Sequence, residues 1–216
     1  AFDAEYAGEN TRDVFVTKFA PDGSAPVFST YLGGSSEDEV VDIGLDQNGD
    51  VCVGGLTQSL DFPTTPGVVN RVLSGAFVTK LSDDGTSLLA STFVGNLSSD
   101  SATGIAVDTA GSAYVLAVTG SPRYPHTLGT LGFEFSGLSD VAITKLSSDG
   151  HTIVFSTFLG GTGGDSSDAI ALGPGGDIYV AGSTTSTDFP VTPLAIDATH
   201  NGGYSDGFVA RVDPTD

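Results

Sequence analysis

Apolar and polar residues alternate with a period of two in short blocks along the whole chain. In FVTKL (77–81), Phe77, Thr79 and Leu81 share one parity and Val78 and Lys80 the other, so an extended backbone sets Lys80 opposite Phe77 and Leu81. Blocks of this kind run four to seven residues, are rich in β-branched and aromatic residues, and end at Gly, Asp, Asn or Pro. That pattern predicts half-buried strands. The segments between them read as turns. APDGS, SDDGT and SSDGH each place Asp-Gly where a hairpin needs a positive φ, and DQNGD, DTAGS and GPGGD occupy a second set of turns. Long helical periodicity is absent, and the expected fold class is all-β.

Four blocks recur in a fixed order. The first is VFVTKF (14–19), AFVTKL (76–81), VAITKL (141–146) and GFVARV (207–212), with Lys18, Lys80, Lys145 and Arg211 separated by 62, 65 and 66 residues. The second is STYLGG (29–34), STFVGN (91–96) and STFLGG (156–161). The third block, DIGLD, GIAVD and AIALG, begins at 42, 104 and 169, and the fourth, DVCVGG, SAYVLA and DIYVAG, at 50, 112 and 177. A longer loop follows, anchored by Phe62-Pro63, Tyr124-Pro125 and Phe189-Pro190. Proline holds itself and its predecessor extended, so the aromatic ring is expected to be pinned against the sheet as a packing device.

A four-stranded unit of this size has two apolar faces and cannot cover both by itself; copies stacked around an axis can. The predicted architecture is therefore a β-propeller of four-stranded antiparallel blades, about three blades and a partial one. A single segment over 1–216 divides into repeats at 13–74, 75–139, 140–205 and a partial 206–216. Thirteen strands do not close a ring of four-stranded blades. The expected partners are accordingly the remaining blades of a longer chain or homo-oligomeric copies, with Phe208 to Val212 as an edge awaiting a neighbour.

The stretch FSTYLGGSSEDEVVDIGLDQNGDVCVGGLTQSLDFPTTPG (28–67) resembles the bacterial seven-bladed-type β-propeller repeat, and the resemblance extends over nearly the whole chain. It implies a secreted or surface propeller. The middle copy departs from the pattern, carrying Arg123 where the others have Asp61 and Asp188, and Asn96 in place of the second glycine.

Composition narrows the setting. The 216 residues include 7 Lys and Arg against 27 Asp and Glu, a net charge of −20 that disfavours nucleic acid and anionic membrane surfaces as partners. The acidity fits a salty or extracellular medium, or cation binding by some of the carboxylates. No apolar run approaches the ~20 residues of a membrane helix, so no membrane insertion is expected. The chain opens on Ala1 and reads as a mature or trimmed product. Cys52 is the sole cysteine and is expected to be a buried small hydrophobe. Asn96-Leu97-Ser98 is a formal glycosylation sequon.

Catalytic spacing is sparse. His126, His151 and His200 lie in unrelated loops, and no nucleophile elbow, P-loop or dinucleotide fingerprint occurs. The candidate metal ligands are Asp46, Asn48 and Asp50, whose i, i+2, i+4 spacing in DQNGD suits calcium; the alternative is a plain turn. Asp38, Asp100 and Asp165 recur five residues before an isoleucine and are further candidates for the same ion. Asp13, Asp140 and Asp206 recur before the first block and are expected to cap backbone N–H groups. The expected function is a non-catalytic extracellular or cell-surface module, structural or binding protein or glycan. The alternatives are a calcium-dependent adhesion or assembly element, and part of a polysaccharide-acting propeller enzyme.

Overall fold

A computed structural model describes residues 1–6, 11–67, 69, 75–96, 99–127 and 134–214. Leu97 and Ser98 of the glycosylation sequon lie outside them. The described residues contain strands and turns but no helix. The strands are β1 (Val14–Phe19), β2 (Pro26–Leu32), β3 (Asp38–Leu45), β4 (Val51–Thr57), β5 (Gly75–Leu81), β6 (Leu88–Phe93), β7 (Ser101–Val107), β8 (Ala113–Thr119), β9 (Asp140–Leu146), β10 (Ile153–Leu159), β11 (Asp165–Leu172), β12 (Ile178–Thr184) and β13 (Asp206–Val212).

They form four antiparallel sheets: β1-β2, β3-β4-β5-β6, β7-β8-β9-β10 and β11-β12-β13. The sheets are offset by half a period from the sequence repeat. Each four-stranded sheet takes its third and fourth blocks from one repeat and its first and second from the next, so the loop after the fourth block stays within one sheet. The turns behave as their Asp-Gly pairs require: Gly85 and Gly150 have φ of 66° and 70°, where a side chain would be strained.

One boundary differs from expectation. The third block forms strands that start several residues earlier, at Asp38, Ser101 and Asp165, than the apolar alternation marks. The register shifts between Val40 and Asp42, between Ala102 and Gly104, and between Ser167 and Ala169. A β-bulge at the same place in each copy breaks the period of two there.

The sheets stack face to face with three apolar layers between them. Val14, Val16, Phe28 and Leu32 of the first sheet pack on Val53, Phe77 and Leu81 of the second. Cys52 and Val78 on the opposite face of the second sheet meet Val115, Ala117 and Leu146 of the third. Leu116, Val141 and Ile143 of the third then meet Ile178, Val180 and Val212 of the fourth. Position in the stack decides burial. In β5, all seven residues of GAFVTKL are buried, because the second sheet is covered on both faces. The similar VFVTKF of β1 leaves Phe15 69% exposed while Val14 and Val16 are buried, because only one face of its sheet is covered.

Along one edge of the stack, β7 lies between β3 and β11. Ile105 N–H donates to Asp42 Oδ2 (3.1 Å) and the Thr103 and Ser167 hydroxyls share a hydrogen bond (2.6 Å). Gly44 allows this approach, since a Cβ there would come 2.8 Å from Val107 Cγ2. The strands at the other edge, β6 and β10, adjoin chiefly their own sheet neighbours β5 and β9. The loop aromatics are pinned as expected: Phe62 stacks on Phe77 (4.4 Å between centroids) and Phe189 on Phe208 (4.5 Å). Tyr124 is 1% exposed, and its hydroxyl reaches Thr144 Oγ1 at 3.2 Å.

Candidate functional site

Acidic side chains gather in two recurring places. The first is the turn that joins the third and fourth blocks. Asp46 Oδ1 accepts the N–H groups of Asn48 (2.8 Å) and Asp50 (3.0 Å), and its Oδ2 meets Lys80 Nζ at 2.8 Å. Asp50 Oδ2 lies 3.8 Å from the same ammonium, while its Oδ1 accepts Asp83 N–H at 3.0 Å. The fold thus brings Asp46 and Asp50 together around Lys80, and leaves Asn48 exposed, contributing a backbone donor. Burial pushes the Asp46 carboxyl up, but Lys80 and the two N–H groups outweigh it and hold it below its usual range.

The same arrangement recurs down the stack. Asp108 Oδ1 accepts Ala110 and Ser112 N–H, with Lys145 Nζ 3.1 Å from Oδ2. In the fourth sheet Gly173 replaces the turn aspartate, and Arg211 instead pairs with Asp177 at 2.8 Å. The basic residue of each first block in sheets two to four is therefore neutralised by a turn carboxylate of its own sheet. Sequence spacing marked these basic residues as a register signal and missed the ion pair.

The second place is the junction between neighbouring sheets, where the two other recurring aspartates meet. Asp165 N–H donates to the carbonyl of Ser139 (2.8 Å), which brings Asp165 at the start of β11 beside Asp140 at the start of β9. Both residues are 0% exposed. Asp165 Oδ2 accepts Gly161 N–H (2.7 Å) and the Ser186 hydroxyl (2.9 Å), and Asp140 Oδ2 accepts Ser136 N–H (2.8 Å). Among the described residues, the Oδ1 atoms of both are buried and meet no hydrogen-bond partner. Burial, and then the Asp165 charge, raise the Asp140 carboxyl to about 6, against the opposing pull of Ser136 N–H. Gly160 faces the pair: a Cβ there would clash with Asp140 Oδ1 and lie 2.7 Å from Asp165 Oδ2.

A similar junction joins the first and second sheets. Asp38 N–H donates to Arg12 carbonyl (2.7 Å), and a Cβ on Gly33 would approach both Asp13 Cγ (2.8 Å) and Asp38 Oδ2 (2.9 Å). Here the junction borders a surface depression of about 540 Å³ lined by Arg12, Asp13, Asp38 and Glu39. In the middle copy Gly75 stands where Asp13 and Asp140 stand, and Asp100 Oδ1 takes the Thr119 hydroxyl at 2.7 Å. Capping by the aspartate before the first block is seen at Asp140 and at Asp206, whose Oδ2 accepts Asn201 N–H at 2.5 Å.

The loop aspartates Asp61 and Asp188 have a separate role. Asp61 Oδ1 accepts the N–H and hydroxyl of Ser35, and Asp188 Oδ1 those of Thr162, which holds both carboxyls low. Arg123 cannot accept such bonds, so the middle loop lacks this tie. Among the described residues no group of three or more His, Cys, Asp or Glu is arranged to hold a metal ion. No family model matches the chain, and no curated protein matches it significantly, so the propeller repeat stands as a resemblance.

Proposed function

We propose that this chain is a β-propeller segment that serves as a non-catalytic, extracellular or cell-surface module, structural or binding a protein or glycan. The observation that carries the radial reading is the asymmetry of the stack. β3, β7 and β11 lie side by side at one edge, while β6 and β10 adjoin chiefly their own sheets. Innermost strands close to an axis and outer strands spread apart are the geometry of blades.

The end faces support further sheets as partners. Phe15 and Tyr31 on the first sheet occupy the positions of Phe77 and Phe93, which are buried where the second sheet packs on the first. Val209 and Tyr179 on the fourth sheet occupy those of Val78 and Cys52, also buried at an internal junction. The two outer faces thus carry the complementary halves of one repeated contact, and like sheets, from the same polypeptide or from another copy, suit them. The depression bordered by Arg12, Asp13, Asp38 and Glu39 lies beside a junction like that of Asp140 and Asp165, with Asp38 likewise buried, and this recurrence favours a structural origin over a catalytic one. Arrays of neutral and uronic-acid glycans, with product analysis on every binder, test the binding reading. Retention without turnover is expected; cleavage or elimination of any glycan overturns the non-catalytic assignment, and small-angle scattering that fits a straight stack of sheets overturns the propeller.

A further inference from the structure

We propose that the junction between the third and fourth sheets is a divalent-cation site, in which Asp140 and Asp165 hold a hard cation of the calcium class. Three observations converge on it. Both carboxylates are withdrawn from solvent, and each has a buried Oδ1 with no hydrogen-bond partner among the described residues. None of the ion pairs among the described residues reaches either one. The residue facing them is Gly160, where a Cβ would clash with Asp140 Oδ1 and lie 2.7 Å from Asp165 Oδ2, so the two carboxylates converge on one residue.

Two ionised carboxylates buried together without a positive partner are strongly unfavourable. Their remaining hydrogen bonds come from Gly161, Ser136 and Ser186 and are spent on the Oδ2 atoms alone. An all-oxygen donor set with two carboxylates selects calcium, magnesium or manganese over zinc or copper, with water completing the coordination. The molecule contains its own comparison. Where Gly75 removes the second carboxylate, the Oδ1 of Asp100 is satisfied by the Thr119 hydroxyl. Thr119 and the corresponding Thr184 each accept the N–H two residues on, from Ser121 and Ser186, but Thr119 donates to Asp100 whereas Asp165 Oδ1 meets no partner among the described residues. A cation there would tie β9 to β11 across the sheet boundary, and the inference does not depend on the sheets winding around an axis.

The test uses the intact chain, stripped with EDTA and titrated calorimetrically with calcium, magnesium and manganese chlorides, with thermal melts at each end point. Wild type is expected to bind at least one of these ions and to melt about 5–10 °C higher at a hundredfold excess over Kd. Asp140→Asn should abolish that shift, and Asp140→Gly, the residue the middle copy carries, should do the same if the asparagine variant fails to fold. Asp46→Asn should retain it. The proposal is overturned if wild type shows neither heat nor melting shift with any of the three ions, or if the folded Asp140 variant keeps the full shift. A wild-type melt that responds to acid alone would mean that a proton, and no metal, neutralises the pair.

Discussion

Replacing Lys80 with methionine tests the claim that the turn carboxylates serve the sheet. The methionine keeps most of the apolar stem among Cys52, Val78, Ala113 and Leu146 but deletes the ammonium. Asp46, whose side chain is 1% exposed, would then face no cation at 2.8 Å and keep only its two backbone donors. Removing one member of a buried pair costs about 3–5 kcal/mol, and the surviving N–H bonds place Lys80→Met near the lower end. For a chain of this size that is a fall of roughly 6–12 °C in Tm. Asp46→Asn should cost less, about 2 kcal/mol, because Asp50 stays 3.8 Å from Lys80. The double variant should lose less than the two singles together, with a coupling of about 1–3 kcal/mol.

The chain has no Trp and six Tyr, so guanidinium unfolding followed by far-ultraviolet circular dichroism is the suitable assay. The pH dependence has a definite sign. Asp46 is held below 3.8 in the folded state, so its contribution is complete above that value and disappears as pH falls through the folded pKa. The penalty of Lys80→Met should therefore shrink in acid. A Lys80→Met protein within about 0.5 kcal/mol of wild type at pH 7, or strictly additive single variants, would refute the reasoning.

Phe77→Ala, which empties a fully buried site stacked on Phe62, should lose about 3–5 kcal/mol by the same unfolding measurement. Cys52 is 1% exposed with its thiol pushed up to about 12 by burial, so a chromogenic disulfide reagent should leave the folded protein unlabelled and titrate one thiol in denaturant. Tyr124→Phe removes a hydroxyl that meets Thr144 Oγ1 at 3.2 Å, and about 1 kcal/mol should follow. Gly85→Ala places a Cβ 2.5 Å from Phe28 Cγ at a φ of 66°, and a loss of about 1–3 kcal/mol in the contact between the first two sheets is expected from its melt.

Much of this arrangement can be read from residue order. The alternation in FVTKL, the Asp-Gly turns and the aromatic-Pro anchors each report local geometry, and each is found where the pattern puts it. The early starts of β3, β7 and β11 could not be read, because the bulge at Val41, Thr103 and Asp168 interrupts the alternation that would have marked them. The half-period offset is equally silent: a repeating pattern has no preferred origin, and only the hydrogen-bonded ladder chooses one. Asp140 and Asp165 were each visible as recurring aspartates, yet their meeting depends on two sheets closing on one another, which no short-range spacing encodes. The partner of Lys80 was hidden for a related reason, since Asp46 lies across two strand pairings.

The half-period offset has a consequence for how such a chain can change length. Because each four-stranded sheet is sewn from two successive repeats, any tandem duplication of one period adds a whole sheet, wherever in the period its ends fall. Loss of one period removes a whole sheet in the same way. Unequal crossing-over therefore leaves no orphan strand, and the number of sheets can drift without the design of any one of them being disturbed.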